Sequence, residues 1–232
     1  MDAHKKLGIA PTGIRYGGFD VADEGADRCA FAARHGILLE HLESWSGKDS
    51  DIFQSVVRAF NLSEQHAVQQ LFYDADGVGA GVRGDGARVN DARRKESRPE
   101  ILIESFQGSG AVFDPDDEMV SGRTNQSFFA NAKAQSWWHL RTLFKNTHRA
   151  ITEKGDFDPD SSISIAAGLP ELNQLTMELS QPTYALNNTG KVLVNKTPPG
   201  ARSPNLADAC MICFNPSNAA MEVWRKLGAA KD

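Results

Sequence analysis

The run Val68-Gln69-Gln70-Leu71-Phe72-Tyr73 leads without a break into Asp74-Ala75-Asp76-Gly77-Val78-Gly79-Ala80-Gly81. Its apolar and aromatic positions predict a short buried strand. Glycine at 77, 79 and 81 suits a tight turn. A strand that feeds such a turn fits a βαβ-type crossover, and so an α/β fold.

Upstream lie three short apolar runs, at residues 17–22, 29–33 and 37–42, separated by a polar turn over 23–27 and by His35-Gly36. That spacing predicts an antiparallel meander. Asp49-Ser50-Asp51 stands where it can cap a helix with apolar positions Ile52, Phe53, Val56, Val57 and Phe60. Downstream, Ile101-Leu102-Ile103 reads as a strand, and the Gly-, Ser-, Asp- and Pro-rich residues 107–127 as an excursion loop. Residues 131–148 are the strongest helix, with Ala134, Trp137, Trp138, Leu140, Leu143 and Phe144 on its apolar face. Residues 169–179 read as a shorter helix. Residues 183–186 and 192–194 flank Asn187-Asn188-Thr189-Gly190, whose Asn and Gly suit a hairpin turn. Pro204 opens a last helix reaching Phe214. The expected architecture is α/β. It has a central mixed sheet, its first three strands antiparallel, and helices on both faces. One domain is expected over residues 1–232, with its core at 14–214 and a peripheral tail at 215–232.

The formal net charge of −5 argues against a protein that coats nucleic acid. It leaves a nuclease open, because carboxylates that hold metal ions count as negative until the metals bind. Three cysteines are too few for a disulfide framework, which predicts a reducing, cytoplasmic setting. No apolar run has the length of a membrane span, and no membrane partner is expected.

Asp20 and Asp74 fall at predicted strand ends, and Asp208 in the last helix. A carboxylate at a strand end leaves the core at the sheet margin, where water and metal reach it. Three such groups together repel one another unless cations bind. An all-oxygen ligand set suits Mg²⁺ or Mn²⁺ rather than zinc. Taken singly, each aspartate reads better as a turn or cap residue; their shared order with strand, glycine turn and helix favours the metal reading.

The ten residues Gly18-Phe19-Asp20-Val21-Ala22-Asp23-Glu24-Gly25-Ala26-Asp27 resemble the first acidic motif of the nuclease domains of phage large terminases. The segment 73–81 resembles the second, an acid followed by a Gly-x-Gly-x-Gly turn. Asn131-Ala132-Lys133-Ala134-Gln135-Ser136-Trp137-Trp138 is similar to a further segment of that family, and Ser203-Pro204-Asn205-Leu206-Ala207-Asp208-Ala209 to the third acidic motif. The resemblance spans about residues 17–214. Family members often carry an acid where this chain has Asn205, so the third metal-binding role is expected at Asp208, with Asn205 in support one helical turn earlier. Asp76 is a second candidate beside Asp74.

The resemblance implies an RNase H-like nuclease. Two divalent cations, Mg²⁺ or Mn²⁺, would bind Asp20, Asp74 and Asp208 roughly 4 Å apart and hydrolyse a phosphodiester. It further implies concatemeric double-stranded DNA as substrate during genome packaging. The implied partners are an ATPase domain of the same full-length chain, a small terminase subunit and a portal protein. The place of action would be the host cell cytoplasm, transiently at the procapsid portal. No segment here supplies a P-loop. Two rival readings are a junction resolvase of the same superfamily and a non-catalytic DNA-clamping module of a motor.

Arg83, Arg88, Arg93, Arg94, Lys95 and Arg98 form a basic stretch that reads equally as a solvated loop or as DNA-backbone contacts. Arg93 and Arg94, with Lys191 and Lys196 by the hairpin, are the expected phosphate-contacting residues. The spacing Cys210-x-x-Cys213 has no second pair and reads as helix packing. Trp137-Trp138 reads in part as core.

Overall fold

The structure, a computed structural model, describes residues 1–22, 28–47, 51–153 and 158–216. In chain order its elements are helix α1 (Ala3–Leu7), strands β1 (Arg15–Asp20), β2 (Arg28–His35) and β3 (Leu38–Ser46), helix α2 (Ile52–Gln65), and strand β4 (Gln70–Asp74). A 3₁₀ turn (Gly77–Gly81) then leads into α3 (Val82–Lys95), β5 (Leu102–Phe106), α4 (Asn125–Phe128) and α5 (Ala132–Glu153). After β6 (Ser164–Ile165) come α6 (Leu172–Ser180), the hairpin β7 (Thr183–Leu186) and β8 (Val192–Asn195), and α7 (Asn205–Cys213).

Six strands form one sheet in the order β5-β4-β1-β2-β3-β6. β1, β2 and β3 are antiparallel neighbours, whereas β4 joins β1, β5 joins β4 and β6 joins β3 in parallel. The tight turn at His35-Gly36 makes the β2–β3 hairpin, with Gly36 at a φ of 53° that glycine tolerates best. The parallel pairing of β1 and β4 requires a crossover, which α2 supplies, and the crossover that the strand-then-glycine reading of residues 68–81 implied is the parallel unit β4-α3-β5.

The sheet separates two apolar layers. Phe19, Phe31, Leu71 and Tyr73 pack with Val56, Ala59 and Phe60 of α2 and Val82 of α3. On the other face, Ala30, Ala32, Leu42 and Phe72 pack with α5, α6 and all of buried α7. Side chains alternate along a strand, so small residues gather under α7. A Cβ at Gly18 would lie 2.2 Å from the Ala209 carbonyl oxygen and 2.6 Å from the Cys213 amide nitrogen. Glycine at 18 therefore sets how closely α7 approaches the central strand.

Several boundaries differ from expectation. The basic stretch 83–98 is no loop: most of it is α3, capped at its C-terminal end by amides that return to Ala92, Arg93 and Arg94 carbonyls. The loop 107–127 carries the short α4 at its end. Neither α1 nor the two-residue β6 was foreseen, because elements this short lack a measurable period. Asp51 caps α2 through the Phe53 amide at 3.1 Å. Asp49, Ser50, the turn residues Asp23 and Asp27, and most of the expected tail lie outside the described residues.

A candidate acidic site at the strand ends

Three elements bring the aspartates to one margin of the sheet. β1 ends at Asp20, paired in register with Ala30, a residue of the α7-side layer. Asp20 therefore faces α7, as does Gly18 two positions earlier. β4 ends at Asp74, two positions after Phe72 of the same layer. Asp208 lies in the first turn of α7, next to Ala209, whose carbonyl oxygen crowds Gly18.

Local structure fixes each group. The Asp74 Oδ1 accepts the Asp76 amide at 2.9 Å, an Asx-type turn that starts the glycine segment. Gly79 folds back so closely that a Cβ there would sit 1.7 Å from the Asp74 carbonyl oxygen. No other residue type fits that approach. α7 is held at its N-terminus by a group from another helix: the buried Glu178 of α6 accepts the Ala207 amide at 3.0 Å. A carboxylate at a helix N-terminus satisfies an otherwise orphaned donor and complements the helix dipole.

Lys196, just after β8, reaches into this corner and its ammonium donates to the Asp208 carboxylate. Asp208 is 2% exposed. Burial pushes its carboxyl above the ordinary range, and the Lys196 charge pulls it back. Asp74 is likewise raised by burial, with the Asp76 amide and the Lys196 and Lys133 charges opposing. Burial disfavours the Lys196 charge, but Asp208, Asp20 and Asp74 together outweigh it and hold the amine above its ordinary value. One ammonium thus feels all three carboxylates, which were read from positions 188 residues apart along the chain.

Among the described residues no three acidic, histidine or cysteine side chains close into a ready metal cage. The countercharge of the corner is an amine. Its donor set is nevertheless carboxylate oxygen only, which fits a hard divalent cation. The buried Asp208 demands a cation of some kind.

No protein-family model and no curated protein matches the chain. Solved structures do. The nuclease domain of the large terminase subunit gp2 of bacterial virus Sf6 superposes with a TM-score of 0.82 at 33% identity, over 92% of this chain and 93% of that one. The chain belongs to the family of phage large-terminase nuclease domains. A mutant of the Sf6 domain with manganese and beta-thujaplicinol gives a TM-score of 0.83 at 32% identity over the same shares, and one with calcium gives 0.81 at 32%. The large terminase nuclease from thermophilic phage G20c with bound magnesium shares the fold, with a TM-score of 0.51 at 13% identity over 89% of this chain and 83% of that one. The mixed sheet flanked by helices is the RNase H-like fold of these terminase nucleases.

Of the residues expected at the terminase site, Asp20, Asp74, Asp208 and Lys196 come together. Asn205 is buried one turn before Asp208. Asp76 is engaged elsewhere: its carboxylate accepts the Ser109 amide at 2.9 Å and the Ser109 hydroxyl at 2.7 Å. It straps the loop after β5 beside the site.

The α3 cations stand apart from this corner. Arg93 is 3% exposed, donates to the Pro99 carbonyl at 2.9 Å and pairs with Glu64. Its place among the phosphate-contacting candidates is therefore corrected, because its guanidinium is inside the fold. Arg94 is bound to Asp91 and Glu100, and Arg98 to Glu64 and Glu96. A helix reads its own acids at i−3 and its neighbours' across the loop, so this run is largely self-neutralised. A cleft of about 430 Å³ lined by Tyr73, Arg83, Asn90, Asp91, Arg94 and Glu100 opens on that α3 side. Lys191 sits at the β7–β8 turn, its amide bound to Asn187.

Cys210 and Cys213 are buried thiols, the latter pushed up to about 12 by burial. Trp137 is core, and Trp138 packs edge-on against Phe128 and Tyr184. Sequence reasoning missed Glu178, Ser109 and Lys133 as parts of the site. Lys133 stood inside the segment 131–138 that resembles the family, but no role was attached to it there.

Proposed function

We propose that this chain is a divalent-metal-dependent DNA endonuclease that cuts concatemeric double-stranded DNA during phage genome packaging. The observation that carries the reading is the gathering of Asp20, Asp74 and Asp208 around one ammonium at the ends of β1 and β4. The match to the Sf6 terminase nuclease domain supports the reaction class and disfavours a junction resolvase.

Asp20, Asp74 and Asp208 would hold the metal ions, Mg²⁺ or Mn²⁺, with Asn205 in support. When bound, a pair of such ions lowers the pKa of water and stabilises the oxygens of an in-line displacement at phosphorus. The chain's own residues prepare that chemistry. Glu178 and Gly18 fix α7, and so the place of Asp208. Gly79 fixes the backbone of Asp74. Lys196 keeps the buried carboxylates compensated without metal and must give way as metal charge arrives, since like charges repel.

DNA would approach on the side of Lys133, Lys191 and Lys196, because Arg88, Arg93 and Arg94 of α3 are engaged with acids. An ATPase domain of the same full-length chain, a small terminase subunit and a portal protein are the proposed partners. The proposed place of action is the host cytoplasm at the procapsid portal. The test is nicking of supercoiled plasmid. It should require Mg²⁺ or Mn²⁺, stop with EDTA, and fall to background in Asp74→Asn and Asp208→Asn, whose neutral amides are poor ligands for hard cations. Metal-dependent binding of duplex with no cleavage by the wild type would favour the clamping-module reading instead.

A further inference from the structure

Resting on that nuclease reading, we propose that Lys133 grips the phosphodiester at the cleavage site, a task distinct from that of Lys196. Lys133 lies in the first turn of α5, and its amide donates to the Gly108 carbonyl at 2.9 Å. Its side chain runs over Gly108: a Cβ there would meet the Lys133 Cε at 2.9 Å and the Asp76 Oδ2 at 3.3 Å. Asp76 in turn holds Ser109, so Asp74, Asp76, the 108–110 loop and Lys133 form one braced unit. The Lys133 charge acts on both Asp74 and Asp208 from the α5 side.

The two lysines of the corner differ in what they already hold. Lys196 is bound to Asp208. Lys133 forms no ion pair among the described residues. It is half-buried, with its stem lying directly over Gly108. A phosphodiester approaching three carboxylates needs a cation that those carboxylates have not consumed. A preorganised cation beside the site also favours the transition state, where negative charge builds on the phosphoryl oxygens. Asp76 is too committed to Ser109 to claim that ammonium, and keeps the loop under it in place.

The experiment compares wild type, Lys133→Met, Lys133→Arg and Gly108→Ala, each checked for fold by circular dichroism. Duplex binding is measured by fluorescence anisotropy with Ca²⁺ across a salt series, Mn²⁺ binding by calorimetry, and plasmid nicking with Mn²⁺ at saturating DNA. Loss of one phosphate contact should flatten the log–log salt slope of Lys133→Met by about 0.9. Its kcat should fall about 10²-fold, with Mn²⁺ affinity equal to or tighter than wild type. Lys133→Arg should retain most of the rate. Gly108→Ala, which keeps the charge but displaces its stem, should fall between.

An unchanged salt slope in Lys133→Met overturns the proposal whether or not the wild type cuts DNA. So does a wild-type kcat in that variant, or a loss of rate that tracks a loss of Mn²⁺ affinity in all three variants, the mark of a merely structural role. An inactive wild type whose slope still depends on Lys133 would sink the nuclease reading and leave the phosphate contact standing.

Discussion

Asp208 has almost no contact with solvent, and its countercharge is a lysine that is itself 26% exposed. Breaking a fully buried pair costs roughly 3–5 kcal/mol, and partial exposure of the amine reduces this to about half. Lys196→Met is therefore expected to lower the melting temperature in EDTA. Mn²⁺ should restore it by more than it raises that of the wild type, because the vacated charge is then supplied by metal. Differential scanning fluorimetry with and without Mn²⁺ reads this directly, and an equal Mn²⁺ increment in both proteins would remove Asp208 from the metal site. Asp74 and Asp76 separate by the same logic of prior engagement. Asp76→Asn retains a side-chain acceptor for Ser109, so nicking should stay within about tenfold of wild type, the modest range of a supporting group. Asp74→Asn should reach background. Spacing to the glycines favoured Asp74 by resemblance and left Asp76 as its neighbour; what sets them apart in the fold is Ser109, 33 residues beyond Asp76 along the chain.

The elements of the site are positioned by backbone contact as much as by side chains. α7 rests on Gly18 and the 3₁₀ turn rests on the end of β4 at Gly79. Alanine at either place drives a methyl into main-chain atoms, which cannot swing aside as a side chain can. Overpacking of a closed interface costs about 1–3 kcal/mol, occasionally more. Gly18→Ala should shift the urea midpoint down and weaken Mn²⁺ binding together, because α7 carries Asp208. Gly81→Ala, which meets nothing within 4 Å, should do neither. A stable, fully metal-binding Gly18→Ala protein would mean that α7 can dock elsewhere. The glycine triplet was visible in the sequence as a turn. That Gly79 is compelled by close approach, Gly77 by its φ of 62° and Gly81 by neither emerges from the fold, because the atom Gly79 meets is a carbonyl oxygen that the chain passes on its way back.

At the scale of the whole molecule, acidity acts in opposite senses through the buried histidines and the buried carboxylates. His41 of β3 and His66 at the end of α2 stack with ring centroids 3.8 Å apart. The His41 Nε2 stands 3.7 Å from a Glu43 oxygen, beyond hydrogen-bond range, and the His66 Nε2 is buried with no partner among the described residues. Burial holds both below the ordinary histidine value, and pushes His139 down to about 4. The native state then binds fewer protons than the unfolded chain between the folded values and about 6.5. Their contribution is complete above that window and is lost as pH falls through it. Asp74 and Asp208 act in the opposite sense, since their raised carboxyls favour the native state at low pH and lose that contribution as pH rises through the folded values. Urea midpoints from pH 7.5 to 5 should therefore fall less steeply for His66→Asn than for wild type, a comparison in which the aspartate contribution cancels. Parallel curves would show that the histidine pair does not couple to folding.

By itself the sequence determined the α/β class, the meander, the hairpin at Asn187–Gly190, and the order of Asp20, Asp74 and Asp208 relative to their elements. Those features are local: a hydrophobic period, a glycine turn or a strand end is written in neighbouring residues and needs no knowledge of where the chain goes next. The tertiary structure decided which cation serves which anion. Arg93 turned inward to Glu64 and the Pro99 carbonyl, Lys196 took Asp208, Asp76 took Ser109, and Lys133 was left beside the carboxylates with no ion pair among the described residues. Charge acts through space on whatever the fold brings within a few ångströms, and that neighbourhood is set by strand order and helix docking, neither of which is encoded in the spacing of charges along the chain.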